Sequence, residues 1–175
     1  MIILGIDPGT ATTGYGLIEE KSGNLSLVDF GVITTASKQP LEQRLEIIFD
    51  QLEEIIEEYN PDEMAVEELF FSNNAKTAMS VGQARGVILL ASQKAGVPLS
   101  EYTPNQVKNG ICGYGGADKK QVQKMVQMLL KLSEVPQPDD AADALAIAIC
   151  HASVGNIESR IRNQESGMKS VRKDN

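Results

Sequence analysis

Three runs of strand character follow one another at the start of the chain before any helical repeat begins. That order restricts the topology more than any other feature. Residues 1–7 (MIILGID) are almost wholly apolar and read as a buried strand. Residues 14–20 (GYGLIEE) and 25–35 (LSLVDFGVITT) alternate, and Ser22-Gly23-Asn24 between them has the composition of a tight turn. Together they predict an antiparallel meander. After Pro40 the repeat changes. Leu41, Leu45, Ile48, Phe49, Leu52, Ile55, Ile56 and Tyr59 recur at helical spacing, with acids on the opposite face and Asn60-Pro61 as the stop. Residues 63–69 and 98–102 predict two short strands on either side of a small-residue helix over 75–95. Thr103-Pro104 starts a brief helix, with the threonine as cap and the proline in the first turn. A glycine-rich loop, GICGYGGADKK, leads into a helix with Val122, Met125, Val126, Leu129 and Leu130 inward. A last helix begins at DDAAD, and periodicity fades after residue 153. One domain over 1–153 is expected, with a flexible tail over 154–175.

The order βββαβαβα predicts an α/β fold: a mixed five-stranded sheet, three strands in a meander and two parallel, flanked by helices. Right-handed crossovers place the fourth strand beside the first and parallel to it. Ligands in such sheets gather beyond the carboxyl ends of the strands. Asp7 ends the first strand and Glu67 lies near the end of the fourth, so the two are expected side by side. Asp140 and Asp143 are three apart in the last helix and share a face, in a first turn that favours negative charge. Asp139 is expected to act as the N-cap. Each acid alone has an ordinary reading as a turn, strand-end or capping residue. Four carboxylates from three elements converging on one place need compensation, because like charges raise one another's pKa or demand a cation. Oxygen-only ligands select hard ions such as Mg²⁺ or Mn²⁺. Two such ions, roughly 3.5–4 Å apart, form the usual clamp for phosphodiester hydrolysis.

The formal net charge of −8 is unusual for a nucleic-acid binder, but it is unevenly spread. Residues 1–68 hold 15 acids and 3 bases, whereas residues 69–135 hold 3 acids and 8 bases. A polyanion could meet the basic middle while the acidic helix faces away. The 2 cysteines, Cys112 and Cys150, and the single His151 are too few for structural zinc. The cysteines are expected to be reduced, and His151 to be a partly exposed helix residue. No apolar stretch approaches the roughly 20 residues needed to span a membrane. The N-terminus has no basic region or cleavage site, so a cytoplasmic location is expected.

The motifs GIDPGTATTGYG (5–16), AVEELFFSNNAKTA (65–78), GQARGVILLA (82–91), QVKNGICGYGGADKKQVQKMV (106–126) and DDAADALAIAICH (139–151) closely resemble those of the RuvC family of Holliday-junction resolvases, in the ribonuclease H-like superfamily. The resemblance runs from residue 2 to about residue 153. It implies an endonuclease that nicks two strands of like polarity symmetrically at a four-way DNA junction in recombination and repair. It implies two Mg²⁺ ions per site, with Mn²⁺ as a substitute, held by Asp7, Glu67, Asp140 and Asp143. Asp139 and Asp140 are adjacent here, and alignment on Ala-Ala-Asp selects Asp140. The resemblance also implies a homodimer, formed in the region of Ala78, Gly82 and Gly86, that works with a branch-migration complex of the RuvA-RuvB type. It places Phe70 at the junction centre, Lys108 and Lys119 near the scissile phosphate, and Lys76 and Arg85 on the DNA backbone. Lys119 and Lys120 beside GYGG at a helix start suit phosphate binding. Three rival readings share parts of this pattern. An actin-like phosphotransferase shares the GIDPGT turn but needs a second half that 175 residues cannot supply. A related nuclease acting on RNA would share the fold, though FFSNNAKTA and GYGGADKK favour the junction enzyme. A noncatalytic junction-binding module would not need all four acids.

Overall fold

The computed structural model describes the backbone of residues 1–68 and 75–171, and side chains within 1–68 and 78–155. The meander is β1 (Ile2–Asp7), β2 (Thr12–Lys21) and β3 (Asn24–Thr34). There follow α1 (Leu41–Tyr59), β4 (Glu63–Glu67), α2 (Ala75–Ala95), β5 (Leu99–Tyr102), α3 (Pro104–Cys112), α4 (Lys119–Leu129) and α5 (Asp139–Val171). The five strands form one sheet in the order β3-β2-β1-β4-β5. β1 pairs antiparallel with β2 and parallel with β4, and β4 pairs parallel with β5. The expected mixed sheet is thus the observed one. Among the described residues no helix is long and apolar enough to cross a membrane.

The sheet buries both faces. Leu4, Ile6, Met64 and Val66 point to one side and pack with Ile48, Leu52 and Ile56 of α1 and Ala84, Ile88 and Ala91 of α2. Ile3, Ala65 and Tyr102 point to the other side, where α3, α4 and α5 cover them with Val107, Ile111, Val122, Val126, Leu145 and Ile149. Period-two alternation then fixes where the strand ends aim. Asp7 follows Ile3 and Gly5, and Glu67 follows Ala65, so both carboxylates share the α5 face.

Glycine sets how closely α5 can lie on that face. Added Cβ atoms at Gly5, Gly14 and Gly16 would fall 2.2 Å from the Ala144 carbonyl oxygen, 2.0 Å from the Asp140 carbonyl oxygen and 2.7 Å from the Leu145 nitrogen. These glycines are cross-strand neighbours: Gly5 pairs with Gly16, and Asp7 with Gly14. The backbone of α5 therefore rests almost directly on β1 and β2, helped by its Ala141, Ala142, Ala144, Ala146 and Ala148.

Local signals account for most boundaries. Asn60 takes a left-handed conformation at the end of α1. Thr103 with Gln106 and Asp118 with Gln121 form capping boxes on α3 and α4. One helix runs longer than its apolar repeat, and one expectation needs correction. The helical backbone of α5 continues to Val171, well past residue 153. His151 is buried: its Nδ1 meets the Tyr102 hydroxyl at 2.8 Å and its Nε2 meets Glu63 Oε2 at 2.5 Å. Its position on the sheet-facing side of α5, opposite a strand glutamate, is what removes it from solvent.

Candidate active site

Beyond the carboxyl ends of β1 and β4 lies a cavity of about 210 Å³, lined by Asp7, Glu67, Lys108, Lys119 and Asp143, with Pro104, Val107, Val122, Ala146 and Ile147 as its apolar wall. The register Ile6 opposite Val66 carries Asp7 to the side of Glu67, as the parallel crossover predicts. The first turn of α5 brings Asp143 across from them. Lys108 comes from α3 and Lys119 from the first residue of α4. Three sheet and helix elements thus supply the acids, and two further helices supply the bases.

The electrostatics report crowded negative charge. Burial pushes the Asp7 carboxyl up from 3.8 to about 8, and Glu67, Asp143 and Asp140 push the same way, with Lys119 opposing. Burial also raises Glu67, with Asp143 adding to it and Lys108 pulling back. Asp143 is raised by burial against the hydrogen bond and charge of Lys119. The cause is physical: carboxylates taken from water and set beside one another disfavour ionisation until a cation arrives.

Among the described residues no three His, Cys, Asp or Glu side chains stand close enough to grasp one metal ion as they are. The acids are grouped around the cavity rather than closed on a common point, and a cation already touches one of them. The Lys119 ammonium lies 3.0 Å from Asp143 Oδ2. An all-oxygen donor set whose charge the lysines only partly compensate still fits a hard divalent cation by its chemistry.

The remaining expected residues divide. Asp140 does not line the cavity, but its charge acts on Asp7 and Asp143. Asp139 likewise acts on Asp143. Asp139 is the first residue of α5, and its carboxylate turns to α4 instead of acting as the expected N-cap: it accepts from Gln123 Nε2 at 2.9 Å and lies 3.2 Å from Lys119 Nζ. Lys120 is exposed one residue along α4 and is not among the lining residues. Arg85 is not brought to the cavity; its guanidinium pairs with Glu101 on β5. The backbone of Lys76 belongs to α2, but its side chain lies outside the described residues, as does Phe70 altogether. Asp139 and Gln123 were missed as partners of Lys119. The available signal was spacing: Gln123 is four residues after Lys119, and Asp139 four before Asp143.

A family model described as "Crossover junction endodeoxyribonuclease RuvC" matches residues 3–151. The chain belongs to the RuvC family. Curated RuvC proteins are similar over nearly their whole length. That of Desulfitobacterium hafniense (strain DSM 10664 / DCB-2) is 55% identical over 161 residues, covering 92% of this chain and 98% of the relative. That of Chloroflexus aggregans is 58% identical over 152 residues, covering 87% and 93%. Among solved structures, Thermus thermophilus RuvC in complex with Holliday junction substrate is 35% identical, with a TM-score of 0.83 over 90% of this chain and 96% of that one. The yeast mitochondrial resolvase Ydc2, at 16% identity and a TM-score of 0.68, shares the fold. The mixed sheet with its covering helices is accordingly the ribonuclease H-like fold of RuvC, and the family's chemistry is that of an endodeoxyribonuclease.

Proposed function

We propose that this RuvC-family chain resolves four-way DNA junctions by hydrolysing phosphodiester bonds with divalent cations, nicking two strands of like polarity symmetrically. The observation that carries the reading is the cavity where Asp7, Glu67 and Asp143 meet Lys108 and Lys119. In this reading Asp7, Glu67, Asp140 and Asp143 hold the cations, two Mg²⁺ per site with Mn²⁺ as a substitute. Such ions supply Lewis acidity toward a phosphoryl oxygen and lower the pKa of bound water. The chain's own groups do the rest. Asp7 would release to solvent the proton that burial and the neighbouring acids hold on it. Lys108 and Lys119 neutralise phosphate charge at the cavity mouth. Val107, Val122 and Ile147 keep one wall dry, which strengthens each charge interaction inside.

Lys120 and Lys76 are proposed to contact the DNA backbone outside the cavity, and Phe70 to stack at the junction centre. Arg85 drops out of this set because Glu101 engages it. The nuclease domain is residues 1–153. We assign the homodimer contact to α2, whose inner face packs on the sheet while Met79 and Leu90 are 70% and 53% exposed and Gly86 opens on empty space. Cooperation with a branch-migration complex and a cytoplasmic location complete the reading. The test is cleavage of a synthetic four-way junction beside a linear duplex of the same sequence. The wild type is expected to cut the junction selectively, while Asp7→Asn binds it and leaves it intact. Equal cutting of both substrates would count against structure-selective resolution.

A further inference from the structure

Lys119 is held at the cavity by a carboxylate outside the proposed metal-binding set. Its Nζ lies 3.0 Å from Asp143 Oδ2 and 3.2 Å from Asp139 Oδ2. The other oxygen of Asp139, Oδ1, accepts from Gln123 Nε2 at 2.9 Å. Lys119 and Gln123 are four apart on α4, and Asp139 and Asp143 are four apart on α5. Residues at that spacing share a helix face, so two helix faces meet here as one rung. The two carboxylates are not equivalent. Asp143 lines the cavity and Asp139 does not. Their side chains are 33% and 54% exposed, which makes Asp143 the inner seat for the ammonium and Asp139 the outer one.

We propose that Asp139 is a positioning residue, an outer seat that keeps Lys119 beside the cavity when a divalent cation takes Asp143. The proposal rests on the metal-dependent reading of the site given above. A cation approaching Asp143 competes with the ammonium for the same carboxylate. Lysine carries its charge on a flexible four-carbon stem, so an ammonium with no second anchor swings into solvent when displaced. Asp139 preserves one ion pair through the exchange. Gln123 fixes the Asp139 carboxylate by holding Oδ1, which leaves Oδ2 turned to Lys119. Because Asp139 stands outside the cavity, it anchors the lysine without adding a further ligand to the site.

The test is a Mn²⁺ titration of the full chain, followed by the electron paramagnetic resonance signal of free Mn²⁺ at one salt concentration. It compares the wild type, Asp139→Asn, Lys119→Met and the double variant. Asp139→Asn is expected to weaken Mn²⁺ binding about threefold, the scale of one exposed ion pair, and to slow single-turnover junction cleavage to a similar extent. In the Lys119→Met background the same change is expected to leave Mn²⁺ affinity where it was, because the seat then has no occupant. Equal losses in both backgrounds would mark a bare charge effect and overturn the proposal, as would wild-type Mn²⁺ affinity in Asp139→Asn. Matching thermal melts establish that the variants fold. Asp7→Asn keeps the two readings apart. If it still cuts, the metal-dependent reading fails. If it cannot cut while Asp139→Asn matches the wild type, only the seat is lost.

Discussion

The Asp7 carboxyl makes a quantitative prediction about the metal-free protein. Its pKa is raised from 3.8 to about 8 in the folded chain. A carboxylic acid with a raised folded pKa destabilises the native state increasingly through the window where the unfolded chain is ionised and the native one is not, and fully above it. The unfolded chain releases this proton near pH 4 and the native chain only near pH 8, so the native state binds more protons in between. Stability therefore falls as pH rises through that window and levels off above it. Integrating between pH 5 and pH 8 gives a loss of roughly 3–4 kcal/mol from this group, at about 1.36 kcal/mol per pH unit. For a chain of this size that is about 7–14 °C in melting temperature. Glu67 and Asp143, also raised, act in the same direction. The assay is thermal unfolding in EDTA at pH 5, 6, 7 and 8, for the wild type and Asp7→Asn. Asparagine cannot ionise, so the variant is expected to gain on the wild type steadily as pH rises. Mg²⁺ at about 100 times its dissociation constant is expected to return about 2.7 kcal/mol to the wild type at pH 8, and little to the variant. A melting difference between the two proteins that stays flat from pH 5 to pH 8 would refute the claim that burial and crowding, relieved by a cation, hold a proton on Asp7.

Three further outcomes follow from the packing. Gly14→Ala places a Cβ 2.0 Å from the Asp140 carbonyl oxygen. It is expected to cost about 3 kcal/mol in urea unfolding through overpacking, and to cut single-turnover cleavage about a hundredfold by moving the first turn of α5. Leu90→Asp, on the outer side of α2, is expected to give a folded monomer in sedimentation velocity that binds junctions poorly; an unchanged dimer would remove α2 from the interface. His151→Ala deletes the buried link between Tyr102 and Glu63 and is expected to lower unfolding stability by about 1–3 kcal/mol. Its junction cleavage at 25 °C should stay close to that of the wild type, because the link lies outside the cavity.

Much of the site was legible because strand order and alternation are written locally. Once β1 and β4 were known to be parallel neighbours, Asp7 and Glu67 had to end side by side. The spacing of Asp140 and Asp143 put both on one helix turn. What sequence could not show was the purpose of the glycines in GIDPGTATTGYG. The structure shows that Gly5, Gly14 and Gly16 are the surface on which α5 rests, a contact between segments more than 120 residues apart. The position of His151 depended on the same contact, since a polar residue beside a cysteine reads as exposed until its helix is laid on a sheet. The run beyond residue 153 has no apolar repeat, so a pattern-based reading ends the helix before its backbone does.

The same layering resolves the conflict between an acidic chain and a polyanionic substrate. The acids of α1 stand on a helix that packs, with α2, against the face of the sheet opposite α5. Lys108, Lys119 and Lys120 stand on α3 and α4, on the α5 side. Net charge sums over both faces, but a phosphate within a Debye length of about 10 Å feels chiefly the face it touches. At the cavity itself the balance is delicate, with three lining acids against two lining lysines. Neither metal-free acids nor lysines alone could hold a phosphate there, because the first would repel it and the second are already drawn toward the carboxylates. Divalent cations change that sign locally, so substrate and metal are each expected to strengthen the binding of the other. Burial, and after it this crowding of charge, raises Asp7, and the same charge distribution, once a cation relieves it, is expected to admit DNA.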